Sequence, residues 1–290
     1  MTRSADCWSR WLATRRFGGD EEVQREVVAR LGEVRDAVLD RAALAPGETL
    51  LDVGCGEGLL GFGALDRDAS VVFSDVSQDL LDFCSEAAES LGVSYRCRFV
   101  RASADDLTPV ESESVDAVTT RSVLIYVTDK EQAFAEFFRV LRPGGRISLY
   151  EPINRFACPD APDRFGGYDV APVAEIAAKL RALFDGLQPD SDPMLDFDER
   201  DLVAACEEVG FFPIDLELHA EIRSLDPRRW DTFVRIAGNP KIPTLAEAMN
   251  QALDYAERER LTAHLRPLVE TGQGTWRMAH ALLRAEKPQR

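Results

Sequence analysis

The chain has 290 residues, of which 45% are hydrophobic and 29% charged, and its formal net charge at pH 7 is −17. This length suits one large α/β domain with insertions or two smaller domains, and the composition excludes an intrinsically disordered chain. A surface this acidic repels phosphate backbones, so we expect no nucleic-acid partner.

The six cysteines and three histidines are scattered along the chain and suggest no metal site. No two cysteines have C-x-x-C spacing, so we expect reduced thiols and no structural zinc. No signal peptide opens the chain, and no apolar run approaches the ~20 residues of a membrane span. We therefore expect a cytoplasmic protein with no membrane partner.

Residues 1–45 are predicted to form an N-terminal helical lid. Trp8, Trp11 and Phe17 lie among arginines near its start. This pattern predicts either a helix that packs its aromatic side chains on the core, or a lid whose arginines reach the carboxylate of a cofactor or an anionic substrate. Asp20 can cap the next helix. That helix carries one apolar stripe with spacings of three and four residues, formed by Val23, Val27, Leu31, Val34 and Val38.

Residues 49–61 combine a strand, a glycine turn and the start of a helix. Apolar residues 49–53 predict a strand that is buried on both faces. Gly54, Gly56 and Gly58 follow at alternate positions, and a leucine-rich helical pattern begins at Leu59. Such a turn lets the backbone approach a nucleotide closely, with N–H groups and the helix N-terminus directed at the ligand.

Two classes of nucleotide ligand fit this turn. Residues 56–61 match the dinucleotide fingerprint G-x-G-x-x-G, which indicates a nicotinamide or flavin cofactor. Asp52, however, precedes Gly54 by two residues, where it would face a cationic group better than a pyrophosphate. The stretch resembles D-x-G-x-G-x-G, the first motif of class I S-adenosylmethionine-dependent methyltransferases. The resemblance implies that Asp52, Gly54, Cys55 and Gly56 bind S-adenosyl-L-methionine.

The second predicted strand, residues 70–74, ends at Asp75. A carboxylate at this strand tip can accept from both ribose hydroxyls, and both nucleotide classes share this feature. We therefore expect Asp75 and Val76 to contact the cofactor. The alternative is that Asp75 caps the helix of residues 80–91, a role that Ser77 can also fill.

The third predicted strand, residues 95–101, leads to Ser103 and Ala104. The family commonly has an acid at the position of Ser103, which accepts from the adenine amino group, while a backbone N–H meets the ring. A hydroxyl accepts less strongly than a carboxylate, so Asp105 is an alternative acceptor. The resemblance thus assigns Ser103 and Ala104 to the adenine end of the cofactor.

The expected catalytic side chains follow the fourth predicted strand or lie on the fifth and sixth. Arg121 follows residues 115–120, where the resemblance places the methionine part of the cofactor; a salt bridge to a surface acid is the alternative. Tyr126 takes the place of a pocket histidine of the family, or is a half-buried helix aromatic. Glu151, at the tip of the fifth strand, is our first candidate for a general base, and His219 on the sixth strand is the second. His219 can equally be an ordinary strand residue.

Residues 141–146, Leu-Arg-Pro-Gly-Gly-Arg, predict a turn into a fifth strand at residues 147–150. A helix end, Pro-Gly-Gly turn and strand are typical of the same methyltransferases, so the resemblance spans about residues 50–152. It implies a Rossmann-like, doubly wound α/β fold with a seven-stranded sheet. The last strand is antiparallel between the fifth and sixth, and helical lid insertions are added.

We expect residues 46–152 to form the cofactor-binding core, and residues 153–290 to complete the sheet and to add insertions that cover the substrate. The C-terminal part is predicted to hold helices and strands at residues 173–187, 197–209, 214–222, 244–255, 257–270 and 276–284. Most of these residues lie in stretches that the family motifs do not describe.

The resemblance implies a methyltransferase that moves a methyl group from S-adenosyl-L-methionine to a small-molecule acceptor by direct displacement. The nearest subclass is similar in architecture to quinone-modifying enzymes. Two alternatives are a nicotinamide-dependent oxidoreductase, and a protein of the same fold that binds the cofactor without transferring a methyl group, such as a cyclase or a regulator. The position of Asp52 and the Pro-Gly-Gly turn disfavour the oxidoreductase.

Overall fold

The computed structural model describes residues 6–158 and 160–289, which form two compact units. The sheet unit comprises Val27–Ile153, Phe197–His219 and His280–Arg290. The helical unit comprises Met1–Glu26, Asn154–Asp196 and Ala220–Ala279. Both units draw on more than one of the predicted segments 1–45, 46–152 and 153–290, whose functional roles stay predictions. Residues 1–5 of the predicted lid lie outside the described residues.

The main sheet has seven strands in the order β3-β2-β1-β4-β5-β9-β8. These strands are β1 (Thr49–Val53), β2 (Ser70–Asp75), β3 (Cys97–Arg101), β4 (Val115–Arg121), β5 (Leu141–Pro152), β8 (Ile214–Ser224) and β9 (Thr275–Glu286). The first five strands pair in parallel, whereas β9 runs antiparallel to β5. This order confirms the predicted doubly wound sheet with its last strand antiparallel.

One helix precedes the first strand of the sheet, and the others connect its strands. They are α2 (Glu21–Ala42), α3 (Leu59–Leu65), α4 (Gln78–Ser90), α5 (Lys130–Val140) and α7 (Glu199–Val209). Helix α3 lies very close to β2, because a Cβ on Gly61 would come within 2.1 Å of Phe73 Cε1. The close approach brings the helix N-terminus to the carboxyl end of the sheet.

The Pro-Gly-Gly segment is part of a strand, not the predicted turn before one. Strand β5 runs without interruption from Leu141 to Pro152. Val115 pairs with Leu141 and Ala117 pairs with Arg146, so the residues between them form an irregular bulge opposite β4. Gly144 has φ +80°, a conformation that glycine adopts without steric strain.

Strand β8 departs from the alternation of apolar residues in its sequence, which predicts that Leu218 and Ala220 face inward. Leu218 is 43% exposed, and Ala220 is also exposed. The strand lies at the edge of the sheet, so β9 is its only strand neighbour among the described residues. Residues 217–220 are all exposed, so neither face of the strand is buried there.

The helical unit has its own apolar core. Its elements are α1 (Cys7–Arg10), a π-helix (Trp11–Arg15), the hairpin β6 (Arg164–Phe165) and β7 (Tyr168–Asp169), α6 (Ala174–Leu187), α8 (Trp230–Phe233), α9 (Leu245–Ala252) and α10 (Tyr255–Thr271). Buried side chains from these elements, such as Tyr168, Leu180, Met249 and Leu265, form one cluster. Capping boxes at Thr244 and Asp254 explain why α9 and α10 begin where they do.

The N-terminal aromatic segment packs within the helical unit. Trp11 Nε1 donates to the Ala237 carbonyl at 2.8 Å, and Arg15 pairs with Glu247. Asp20 caps α2 as predicted, since Oδ1 accepts from the backbone N–H of Val23 at 3.3 Å. Its other oxygen accepts from Thr232 Oγ1 at 2.7 Å.

Among the helices of the described ranges, none combines the length and the apolar character that a bilayer crossing requires.

Candidate functional site

The predicted cofactor residues of the sheet unit meet at the carboxyl ends of β1, β2 and β4. Strands β2 and β4 pair with opposite edges of β1, so the strand order reverses at β1. Open α/β sheets bind ligands in the crevice at such a switch point. The glycine turn after β1 lies at this place.

The turn itself is built from glycines in the left-handed region. Gly54, Gly56 and Gly58 have φ +64°, +56° and +82°, which a residue with a Cβ adopts only with strain. The Gly58 N–H donates to the Cys55 carbonyl at 2.8 Å and closes the turn. The thiols of Cys55 and Cys84 both donate to the Gly56 carbonyl, at 3.8 and 3.4 Å.

Cys55 lies beneath the turn, with its side chain in the core of the sheet unit. Its N–H donates to the Ser74 carbonyl at 2.9 Å. A hydrogen bond to Cys84 and burial both raise the pKa of the Cys55 thiol, so this thiol stays protonated at neutral pH. Cys55 therefore supports the turn, and its predicted contact with the cofactor can come only from its backbone.

Gly54 contacts the segment that follows β4. A Cβ at Gly54 would lie 2.5 Å from Val123 Cγ2. Sequence reasoning did not single out Val123, because nothing in its local pattern indicates that it touches the first glycine. The absence of a side chain at Gly54 thus allows the two loops on either side of the switch point to touch.

Asp52 is almost fully buried in β1, with 2% of its surface exposed. Its Oδ2 accepts from the Gly61 N–H at 2.9 Å, which ties the strand to the first turn of α3. Burial raises the pKa of Asp52 to about 7, against the opposing effects of this hydrogen bond and of the Arg121 charge. A cationic ligand group would stabilise the ionised form.

Asp75 holds the glycine turn and the start of α4 together. Its Oδ2 accepts from the Gly56 N–H and its Oδ1 from the Ser77 N–H, both at 2.9 Å. The helix cap is Ser77, whose Oγ accepts from the Leu80 N–H at 3.1 Å. Asp75 is thus not the helix cap, and the next residue, Val76, is 45% exposed.

Ser103 and Asp105 form a hydrogen-bonded pair after β3, in which the Ser103 hydroxyl donates to the Asp105 carboxylate. The sequence left these two residues as alternative acceptors for the adenine amino group, and the structure brings them together. Ala104 between them is buried. Glu136 on α5 fixes the loop, because its Oε2 accepts from the Leu107 N–H at 2.7 Å.

Glu151 is completely buried and anchors the segment after β4. Its carboxylate accepts from Thr120 Oγ1 at 2.7 Å and from the N–H groups of Val123 and Leu124 at 3.1 Å. Burial raises its pKa to about 7, although all three donors favour the ionised form. Burial lowers the pKa of Arg121, and the nearby charge of Glu151 opposes that change.

The two remaining catalytic candidates differ in their surroundings. Tyr126 ends a 3-10 turn, Leu124–Tyr126, and is half-buried. His219 is exposed on β8, with its ring centroid 5.1 Å from that of His280. His280 in turn stacks on Tyr150 of β5 at 4.6 Å. The structure therefore joins His219 to a row of rings across three strands.

These residues fit an adenosyl cofactor. Three of the turn's residues are glycines without side chains, and the Asp75 carboxylate is fixed beside them. An exposed apolar side chain and a Ser–Asp acceptor pair lie at the ends of the next two strands. Within residues 6–158 and 160–289, no group of three or more His, Cys, Asp or Glu side chains could hold a metal ion.

Comparison with known proteins identifies the same region. Residues 51–149 match the family described as methyltransferase domain. The chain is 34% identical over 125 residues to tRNA 5-carboxymethoxyuridine methyltransferase of Escherichia coli K12, a match that covers 41% of this chain and 48% of that protein. It is 32% identical over 136 residues to the ubiquinone biosynthesis O-methyltransferase of Hahella chejuensis, which covers 47% and 56%.

A solved structure of geranyl diphosphate methyltransferase in complex with S-adenosylmethionine has the same fold. The TM-score is 0.55 at 20% identity, and the match covers 93% of this chain and 92% of that one. The chain spans about half the length of the curated relatives it matches. The comparisons therefore show a methyltransferase domain at residues 51–149 and the fold of this solved methyltransferase structure.

Proposed function

We propose that the protein transfers a methyl group from S-adenosyl-L-methionine to a small-molecule acceptor. The observation that carries the proposal is the Asp75 carboxylate, which is fixed by the N–H groups of Gly56 and Ser77 at the tip of β2. A fixed carboxylate beside a bare glycine turn suits a ribose diol. The methyltransferase-domain match over the same strands supports this over the oxidoreductase alternative.

Each part of the cofactor has a candidate partner. Asp52 would bind the ammonium group, since a cation would favour its ionised form. Asp75 would accept from the ribose hydroxyls, and Val76 would cover one face of the adenine ring. The pair of Ser103 and Asp105 would accept from the adenine amino group, beside the backbone of Ala104.

The cofactor, when bound, supplies a methyl group that is already activated by its sulfonium. The chain's own residues then have to align the acceptor with that methyl group and exclude water. A fixed negative charge beside the sulfonium would stabilise the ground state more than the transition state, in which the charge disperses. We therefore assign Asp52 and Asp75 to the amino and ribose ends of the cofactor.

Glu151 remains our first candidate for a general base, with a pKa of about 7 that suits proton transfer at neutral pH. Its three hydrogen bonds support a second role, in which it positions the segment of Arg121 and Val123 beside the glycine turn. Tyr126 and His219 are the other candidates. We assign Tyr126 to the acceptor pocket and His219 to a base if the acceptor needs deprotonation.

A small acceptor is favoured by the acidity of the chain, which repels polyanions. One relative is named for its action on tRNA, so the expected absence of a nucleic-acid partner stays a prediction. We also propose a cytoplasmic location. All six cysteines are free, which suits a reducing compartment.

Calorimetric titration with S-adenosylhomocysteine and, separately, with NAD⁺ tests the proposal. We expect the first to bind and the second not to. Asp75→Asn should weaken binding of S-adenosylhomocysteine at least about tenfold, since it removes a charged acceptor. Asp82→Asn is the matched control, because Asp82 is exposed and bonds only locally to Gln78 on α4.

Binding of NAD⁺ but not of S-adenosylhomocysteine would refute the proposed function. Equal binding by the Asp75→Asn and Asp82→Asn variants would refute the role of Asp75. If S-adenosylhomocysteine binds but no acceptor is methylated in a screen with radiolabelled S-adenosylmethionine, the non-methylating alternative would be supported instead.

A further inference from the structure

The helical unit contains a cavity of about 370 Å³ with three arginines in its wall. Arg155 lies in the 3-10 turn Asn154–Phe156, Arg164 begins β6, and Arg277 lies on β9. All of these residues belong to the helical unit. No motif of the family indicated this group, because its members are far apart in sequence.

The charge of this cavity is opposite to that of the chain. Asp160 is the one acidic residue among the described lining residues, and its Oδ2 accepts from the Gly167 N–H at 3.3 Å. Throughout residues 6–158 and 160–289, no ion pair joins Arg155, Arg164 or Arg277 to a carboxylate, whereas other arginines pair with glutamates. In a chain of net charge −17, three such guanidinium groups make a local positive site.

The wall of the cavity is held in place by backbone contacts. Arg181 on α6 donates to the carbonyls of Pro162 at 2.7 Å and Arg164 at 2.6 Å. The Thr275 N–H donates to the Gly167 carbonyl at 3.0 Å, and a Cβ on Gly167 would lie 2.2 Å from the Thr275 oxygen. A ligand would therefore meet walls that are already ordered, which lowers the entropic cost of binding.

One arginine is also oriented by an aromatic ring. The Arg277 guanidinium lies 5.4 Å from the centroid of the Phe156 ring, within the range of a cation–π contact. A guanidinium carries five N–H donors in one plane. Those N–H groups match the oxygens of a carboxylate or a phosphate.

We infer that this cavity binds the anionic group, a carboxylate or a phosphate, of a small organic ligand. The volume suits a small molecule, because ligand pockets are typically about 300–1,000 Å³. An acidic chain that binds an anionic ligand needs a local positive site to overcome its own repulsion.

Calorimetric titration with inorganic pyrophosphate and, separately, with malonate tests the inference and distinguishes phosphate from carboxylate. We expect at least one probe to bind, and Arg155→Gln and Arg277→Gln each to weaken that binding about tenfold. Raised salt should weaken it as well. Arg155 and Arg277 are exposed, so both variants should fold, which the thermal unfolding midpoint checks.

Arg260→Gln is the matched control. It removes one positive charge from an exposed ion pair with Glu175 in the same unit, outside the cavity. We expect this variant to bind the probe as the wild type does. Failure of both probes to bind, or an equal effect of Arg260→Gln and Arg155→Gln, would overturn the inference. Displacement of the probe by an RNA oligonucleotide at far lower concentration would overturn the assignment to a small ligand.

The outcome is separable from that of the proposed function. Arg155→Gln should leave the affinity for S-adenosylhomocysteine unchanged. If the wild type binds pyrophosphate or malonate as expected but does not bind S-adenosylhomocysteine, the anion site stands and the methyltransferase proposal fails. If the wild type binds S-adenosylhomocysteine but neither anion probe, the anion site fails and the methyltransferase proposal stands.

Discussion

The contact between Gly54 and Val123 allows a sharp test of the candidate cofactor site. Gly54→Ala adds a methyl group whose carbon would lie 2.5 Å from Val123 Cγ2, in a backbone conformation of φ +64°. The left-handed conformation alone should lower the free energy of unfolding by about 1–2 kcal/mol. The overpacking should lower the free energy of unfolding by about 1–3 kcal/mol more, and it should displace the turn.

Gly92 separates these two effects. It has φ +69°, but a Cβ there would meet nothing within 4 Å. Gly92→Ala should therefore show only the conformational strain. We expect Gly54→Ala to weaken S-adenosylhomocysteine binding by at least about tenfold, or 1.4 kcal/mol, and Gly92→Ala to leave it unchanged. Urea unfolding and calorimetric titration measure the two quantities.

Shortening Val123 should rescue the Gly54 variant. Val123→Ala removes the two methyl carbons, and the nearest remaining atom, its Cβ, lies 3.4 Å from the added methyl position. The double variant should thus regain most of the binding energy that Gly54→Ala loses, with Val123→Ala alone as the reference. The reasoning is refuted if Gly54→Ala binds as Gly92→Ala does, or if the double variant binds no better than Gly54→Ala.

Three further outcomes follow from burial. The pKa of Asp52 is about 7, and its ionised form is the one that would bind the ammonium group. S-adenosylhomocysteine should therefore bind up to about tenfold more weakly for each pH unit below 7. Asp52→Asn should abolish this dependence in titrations from about pH 5.5 to about pH 8. Glu151 keeps its proton up to about pH 7 when folded but only to 4.5 when unfolded. The free energy of unfolding should therefore fall as the pH rises through that window, by up to about 3 kcal/mol from Glu151 alone. Urea unfolding of Glu151→Gln should show a fall that is smaller by this amount, because Asp52, whose pKa is also about 7, still contributes. Gly61→Ala should destabilise the fold by about 1–3 kcal/mol, because the added methyl group would clash with Phe73. Gly32→Ala on α2 should stabilise the fold by up to about 1 kcal/mol, because its methyl group would lie in open space and alanine favours a helix. Thermal unfolding measures both effects. A stabilising Gly61→Ala would contradict the close packing of α3 on the sheet.

The glycine turn could be predicted from sequence because its causes are local, whereas the sheet order was predicted from the resemblance of the motifs to a known family. A buried strand that ends in alternate glycines has few other structures open to it, and Asp75 follows the next strand directly. The bulge of β5 was missed, because Pro143 and Gly144 favour a turn as strongly as they favour a bulge. Only the pairing with β4 decides between the two.

The interactions that fix the candidate site are long-range, and sequence reasoning had no access to them. Glu151 is 31 residues from Thr120 and 28 from Val123, yet all three share hydrogen bonds. Ser103 and Asp105 are close in sequence, but their pairing depends on how the loop after β3 closes. The arginine-lined cavity likewise joins segments more than 100 residues apart, at Arg155 and Arg277.

The two hydrogen bonds that Asp75 accepts have a consequence for how a ligand is recognised. Because the carboxylate already holds Gly56 and Ser77 in place, these residues lose their conformational entropy when the protein folds. Binding of a nucleotide should therefore cost little further conformational entropy here. Association should then resemble docking to a rigid receptor, with little change in the backbone. The protein would then select among nucleotides by how well each of them fits the site in the shape it already has.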